Sequence, residues 1–342
     1  MKPDQHTPGL AASEWLLIHG GALGDLALML RLVLRLPGMA QAAGVHVLSR
    51  VDPGDLSDAT PRVMRLASDA LGTHWLHTTG HDPPPPLLED SVRGRRVLCT
   101  LADDRSPLRR RLRALNPASV HMLDPAAAPD SPRHIVDQWR HRLAGGGLLV
   151  PECVRKAAPT VRPSAEMRAH GRRLIASALP PITPATERPP MLIHPGSGGR
   201  QKCWPLAGFM ALAELARRSG WRVVFLLGPV EEESWPAPDV ADLVANDALL
   251  RGLSAADLAA ALCAGAVLVG NDSGPAHLAA LLGTPTVTLF GPTPAAIWKP
   301  LGSRAAVVSD DPAAGDLWGI APQRVLAAAM QAAGVDPSPP TA

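Results

Sequence analysis

Asn271-Asp272-Ser273-Gly274-Pro275-Ala276-His277-Leu278-Ala279-Ala280-Leu281-Leu282-Gly283 is the stretch that decides the fold of this chain. An apolar run, Ala266-Val267-Leu268-Val269, precedes it, and Val287-Thr288-Leu289-Phe290 follows. The order reads as buried strand, polar turn, helix, glycine stop and buried strand, one unit of a parallel α/β sheet. Such a turn sets free backbone N–H groups and the positive end of a helix dipole at the carboxyl edge of the sheet. Phosphates bind there. Asp272, Ser273, Gly274 and His277 crowd that one turn, which makes it a candidate for the anionic half of a nucleotide site. Plainer roles compete with this. Asp272 and Ser273 are good helix N-caps, and a lone helical histidine such as His277, one turn after Ser273, is commonly a packed one.

Outward from this unit, strand and helix signals alternate in both directions. Trp15–Ile18, Val45–Leu48, Arg96–Cys99 and Ser119–Met122 read as strands of a first half, with helices over about Leu26–Leu36 and Ile135–Leu143. Asp82-Pro83-Pro84-Pro85-Pro86 reads as a loop, because proline cannot continue a helix or a ladder. Prolines and a composition shift from Leu148 to Pro190, around a helix at Ala165–Ala178, mark the junction of two domains, set at residues 1–155 and 156–342. The second half restarts with Met191–His194, a helix over Leu206–Arg218, a strand at Arg222–Leu227 and a helix over Ala255–Cys263. A last helix covers about Gln323–Ala333. The expected fold class is α/β, with two doubly wound, Rossmann-like domains facing a cleft.

Composition narrows the class further. A chain of 342 residues is long enough for two ordinary cores. Its net charge of +2 does not suggest nucleic-acid binding. The Leu26–Leu36 run is broken by Arg31 and Arg35 and is too short to span a bilayer. Met1–Ser13 has no signal-peptide pattern, and Cys99, Cys153, Cys203 and Cys263 are scattered without a Cys-x-x-Cys pair. A reducing cytoplasm is therefore expected, with no metal site. One local excess stands out: Arg93, Arg95, Arg96, Arg105, Arg109, Arg110, Arg111 and Arg113 face only Asp103 and Asp104 in that span. It reads either as a solvated helix face in an arginine-rich chain or as a patch for an anionic acceptor or membrane surface.

Two further strand-to-helix turns carry polar groups. Gly20-Gly21-Ala22-Leu23-Gly24-Asp25 is not a dinucleotide fingerprint, because His19 stands where that motif needs its first glycine. A nicotinamide dehydrogenase is disfavoured for the same reason. Asp25 reads as an N-cap or as a carboxylate at the cleft edge acting as general base on a hydroxyl. His194-Pro195-Gly196-Ser197-Gly198-Gly199-Arg200-Gln201-Lys202-Cys203-Trp204-Pro205 permits a tight phosphate nest. Its Lys202, one of four lysines in the chain, is either a solvated side chain or a phosphate ligand.

Together these turns resemble glycosyltransferase family 9, the ADP-heptose:lipopolysaccharide heptosyltransferases. Leu16–Asp25 looks like that family's first strand and Gly-Asp turn, and His194–Pro205 like its donor loop ending in Lys-x-Trp-Pro. Leu226-Leu227-Gly228-Pro229-Val230-Glu231 and Asn271–Gly283 with Phe290-Gly291-Pro292-Thr293 are similar to two further blocks, in the family's order over about residues 14–300. The resemblance implies a GT-B fold, with an N-terminal acceptor domain and a C-terminal donor domain. It also implies inverting, metal-independent transfer of heptose or a related sugar from an ADP-sugar co-substrate, with no cofactor. The acceptor would be a lipid-linked glycan such as a lipopolysaccharide core, reached at the cytoplasmic face of the inner membrane.

On that resemblance Asp25 takes the base role, and Lys202 with the Ser273 and Gly274 N–H groups stabilises the leaving diphosphate. Asp272 holds a sugar hydroxyl or the loop, Glu231 contacts the ribose, Ser197 a phosphate, and Leu253 lines the adenine pocket. His277 supports the phosphate loop. His19, Gly21 and Gly24 lie on the acceptor side, where the chain departs from the family: members commonly carry Lys or Arg at the position of His19. Transfer to a protein side chain, or sugar-nucleotide binding without catalysis, are the alternatives.

Overall fold

The computed structural model describes residues 14–39, 44–78, 82–102, 106–151, 161–180, 188–236, 243, 247–309 and 318–335. The expected junction between residues 155 and 156 lies outside them, as do Arg105 and Cys153. Two parallel sheets carry the molecule, and together they form the GT-B arrangement. The first comprises β1 (Trp15–His19), β2 (Gly44–Ser49), β3 (Arg62–Leu66), β4 (Arg96–Cys99) and β5 (Ser119–Met122), in the order β3-β2-β1-β4-β5. The second comprises β6 (Met191–His194), β7 (Val223–Leu227), β8 (Leu249–Arg251), β9 (Val267–Asn271), β10 (Thr286–Phe290) and β11 (Ala305–Ser309). Its order is β11-β10-β9-β6-β7-β8.

Central strands are buried and mostly apolar because helices cover both faces of each sheet. All five residues of β1 and of β7 are buried. The edge strands β3, β8 and β11 are mostly half-buried or exposed, and their sequences give no strand signal. The first helix runs Leu23–Val33, three residues earlier than its apolar pattern suggests. Pro86 belongs to a helix rather than to the proline loop: it opens Pro86–Val92, where a missing N–H costs nothing. Pro107–Ala114, dense in arginine, is also helical. Ser106 caps it by accepting from the Leu108 N–H, and Leu108 and Leu112 anchor it.

The Ala165–Ala178 helix belongs to the second domain, packed on Ala255–Ala264. A methyl on its Gly171 would stand 1.9 Å from the Ala260 carbonyl oxygen, so glycine alone permits this approach. Between the domains, Leu23–Val33 lies beside Gly274–Leu281. Gly24 abuts His277 near one end, while at the other Arg31 donates to the Ala280 carbonyl at 3.2 Å. The two helices therefore run parallel, with both N-termini at the cleft. Arg31 is 1% exposed, and burial, then the nearby Arg35, brings its pKa down to about 10. It stays charged at neutral pH, at the carbonyl end of the partner helix, where a cation is favoured. No helix among the described residues is long and apolar enough to cross a membrane.

Candidate functional site

Strand order places the site. In the second sheet the chain direction switches between β6 and β9, and the turns that follow these strands meet at the carboxyl edge, where α/β ligand sites form. Asn271, fully buried at the end of β9, ties them together. Its side-chain amide donates to the Pro195 carbonyl at 2.7 Å, and its carbonyl accepts from the Trp204 N–H at 2.9 Å. Ser197 adds a third tie, its hydroxyl donating to the Asp272 carbonyl at 2.7 Å. Trp204 is core, packed edge-on against Phe209.

Around this seam the charged groups converge. Lys202 Nζ stands 3.3 Å from Asp272 Oδ2, and His277 Nε2 stands 3.5 Å from Asp272 Oδ1. Burial works to raise the Asp272 carboxyl, but His277 and the Lys202 ammonium outweigh it and hold the group below the usual carboxylate range. The Lys202 side chain is 46% exposed, whereas that of Asp272 is 9% exposed, so the lysine can swing toward a ligand that the aspartate cannot follow. Ser273 is the N-cap of Gly274–Leu281 but makes no side-chain cap bond. The opening N–H groups of that helix, which have no partner within it, are left for a ligand.

Glu231 and His194 lie beneath the loop. Glu231 is 3% exposed; its Oε2 accepts from the Gly228 N–H at 2.7 Å and stands 3.7 Å from His194 Nε2. A methyl on Gly196 would meet Glu231 Oε1 at 1.7 Å, so the glycine exists to let this carboxylate under the loop. Burial pushes the His194 pKa down, with Glu231 pulling the other way. Leu253, half-buried, packs on the core after β8.

Across the cleft lies the turn after β1. Asp25 is not an N-cap: Ala22 holds that position, and Asp25 sits in the first turn of the helix. No hydrogen-bond partner engages its side chain among the described residues. His19, 2% exposed, closes β1 with Nδ1 2.8 Å from Thr100 Oγ1. Thr100 Oγ1 also lies 3.3 Å from the Ile18 carbonyl, and His19 Nε2 is buried with no partner among the described residues. Burial lowers the His19 pKa, and Asp25 opposes this. A methyl on Gly21 would sit 2.6 Å from His19 Nε2 and 3.1 Å from Asp25 Cβ, so the ring fills the space under that glycine, next to the carboxylate. A cavity of about 440 Å³ opens here, lined by His19, Ser49, Arg50 and His77 among others.

The structure thus gathers Lys202, Asp272, Ser273, Gly274, His277 and Ser197 at one turn and Asp25, His19 and Gly21 at another. Gly24 joins the two, since a methyl on it would lie 3.0 Å from His277 Cδ2. Asn271, His194 and Thr100 were not singled out from sequence. Their buried polar side chains at strand ends were the available signal. The arginine span changes most. Arg95 pairs with Glu14, Arg93 with Glu89, Arg96 lies over Trp15 and Arg111 over Trp75. Carboxylates outside the span and aromatic faces absorb charge that Asp103 and Asp104 alone could not. Arg110 and Arg113 remain exposed. Among the described residues no three His, Cys, Asp or Glu side chains gather as metal ligands.

Comparison with known proteins agrees with this geometry. The chain is 30% identical over 113 residues to lipopolysaccharide heptosyltransferase 3 of Escherichia coli, a match covering 32% of this chain and only about a third, 33%, of that protein. The crystal structure of the glycosyl transferase family 9 protein from Veillonella parvula shares the fold with a TM-score of 0.67 at 18% identity, covering 95% of this chain and 98% of that one. The E. coli ADP-heptose lipopolysaccharide heptosyltransferase II does so with a TM-score of 0.63 at 18% identity, covering 94% and 98%. A sequence model described as glycosyltransferase family 9 (heptosyltransferase) matches residues 120–316, more than half of the chain and all of the donor-side turns, so the chain belongs to that family.

Proposed function

We propose that this protein is an inverting, metal-independent glycosyltransferase that moves heptose, or a related sugar, from an ADP-sugar to a lipopolysaccharide core or similar glycan. The observation that carries the reading is the meeting of two turns. Asp25 lies one residue from Gly24, which abuts His277 of the Asp272 turn. A base on one domain is thereby delivered to the phosphate-binding turn of the other.

In this mechanism Asp25 removes the proton from the acceptor hydroxyl as its oxygen attacks the anomeric carbon from the face opposite the diphosphate. The bond to the diphosphate breaks with oxocarbenium character in the sugar, and negative charge grows on the departing ADP. Lys202 leaves Asp272 to meet that charge, and the N–H groups of Ser273 and Gly274 receive it at the helix N-terminus. These donors are held in place before the reaction starts. Glu231 and Leu253 are assigned to the ribose and the adenine. The Glu231 contact needs an opening of the loop above it, because its carboxylate is buried under Gly196. Domains meeting residues 155–156, a cytoplasmic location and peripheral contact of exposed Arg110 and Arg113 with the inner membrane complete the proposal.

The deciding experiment is a titration of the purified chain with ADP, UDP and GDP, without added metal. ADP should bind selectively, and Lys202→Ala should weaken it about tenfold or more, the scale of one charge-assisted contact. Preference for UDP or GDP would remove the ADP-heptose assignment while keeping the fold. An ADP affinity indifferent to Lys202→Ala would leave that lysine a surface residue.

A further inference from the structure

We propose that a recess at the amino edge of the six-stranded sheet is a second anion site, which takes a phosphate-bearing ligand away from the cleft. The recess encloses about 480 Å³. Its walls come from the segments that lead into strands rather than out of them: Pro189 before β6, Trp221 before β7, Ala266 before β9, Pro285 before β10 and Arg304 before β11. It therefore opens on the edge opposite Asp272 and Lys202, where the parallel α/β plan supplies no ligand site of its own.

Charge sets this recess apart. Arg162, Arg168, Arg188 and Arg304 line it, and among the described residues no aspartate or glutamate does. Among the described residues none of the four has a carboxylate partner. Arg188 is already oriented, its guanidinium 5.3 Å from the Trp221 ring centroid. Arg304 reaches the Gly283 carbonyl at 3.4 Å. Arg162 and Arg168 are exposed, and no side-chain bond engages either among the described residues. Trp221 lies in the wall, 3% exposed, and its indole N–H is buried without a partner among the described residues. Buried donors of that kind are uncommon in folded proteins and mark places where a ligand or water completes the bonding.

A plainer role for these arginines is to answer helix ends. The helices Ala255–Ala264, Gly274–Leu281 and Pro322–Ala333 all finish beside the recess. Each helix C-terminus carries roughly half a negative charge, so three of them offset less than half of four guanidinium charges. The surplus is positive. Guanidinium forks match phosphate oxygens in pairs. Two sources of such a group fit the volume: a soluble diphosphate and a phospholipid headgroup.

The test uses the full chain carrying Lys202→Ala, which weakens the cleft and leaves the recess untouched, and inorganic pyrophosphate as the probe. Pyrophosphate should bind this variant, and adding Arg162→Ala with Arg168→Ala should weaken that binding about tenfold or more. Both arginines are exposed, so the melting temperature without ligand should match the parent's. No pyrophosphate binding in the Lys202→Ala background, or binding indifferent to the arginine pair, overturns the proposal. Vesicles then separate the sources. If the pair also abolishes binding to phosphatidylglycerol vesicles but not to phosphatidylcholine ones, the site takes a lipid headgroup. If it affects pyrophosphate alone, the site takes a soluble phosphate. ADP affinity of the otherwise unaltered chain reports on the cleft separately, so a failure there leaves this result readable.

Discussion

The turn after β9 and the turn after β1 each lie beside the switch point of their own sheet, yet they are built in opposite ways. On the donor side nearly every polar side chain is engaged. Asn271 and Ser197 stitch two loops, Lys202 and His277 flank Asp272, and Glu231 faces His194. On the acceptor side the buried pair His19 and Thr100 backs the turn beside an open cavity, while among the described residues Asp25 has no hydrogen-bond partner. On the proposed function the difference follows from what each turn would hold. A diphosphate has one shape and a fixed charge, which rewards donors fixed in advance. A general base needs access and an unspent lone pair more than it needs company.

This contrast can be broken first at Asp25. Asp25→Asn keeps the shape and removes the base, so the transfer rate should fall about 10²–10⁴-fold, while ADP affinity measured by calorimetry stays unchanged. Turnover that survives would remove the base assignment and with it the division of labour between the turns. Asn271→Ala tests the other side. It removes two buried bonds and strands the Trp204 N–H, so unfolding should become easier by about 2–4 kcal/mol, with ADP affinity falling as well. Urea denaturation that shows less than about 0.5 kcal/mol of loss would mean the loops hold themselves without the stitch.

The same contrast separates what could be read in the sequence from what could not. Central strands such as Met191–His194 and Trp15–His19 were legible because burial on both faces writes itself as an apolar run. Arg62–Leu66 and Ala305–Ser309 were not, since an edge strand with exposed positions loses that signal. The donor-side residues were visible as a motif at a predicted turn. The placement of the Glu231 carboxylate under Gly196 and the stitch from Asn271 were not, because both arise only when turns far apart in the chain are brought together by strand order. The pairing within the arginine span was hidden for a related reason: the partners of Arg93 and Arg95, Glu89 and Glu14, lie outside that span in sequence.

The smallest effect expected is on pH dependence, and it bears on both turns at once. His194 and His19 each have a pKa lowered chiefly by burial, from an ordinary value of 6.5. In the unfolded chain each histidine takes up a proton below about pH 6.5, whereas in the folded protein it resists until the pH is lower. Stability is therefore complete above 6.5 and is lost as the pH falls toward the folded pKa, by at most about 1.4 kcal/mol per pH unit for each group. His46 is lowered as well, but it stays in every variant and cancels between them. His194→Gln and His19→Gln should each flatten the decline of the urea midpoint between pH 6.5 and 5. The turns then part company at one substitution. Asp25 raises the His19 pKa, so Asp25→Asn should let it fall further and extend the acid-side loss to lower pH, and this extension should vanish when His19→Gln is added. His194, which answers to Glu231 and lies across the cleft from Asp25, should be indifferent to it. A His194→Gln profile that matches the parent would mean that the Glu231 carboxylate outweighs burial and that the donor turn carries a charged pair beneath its phosphate loop.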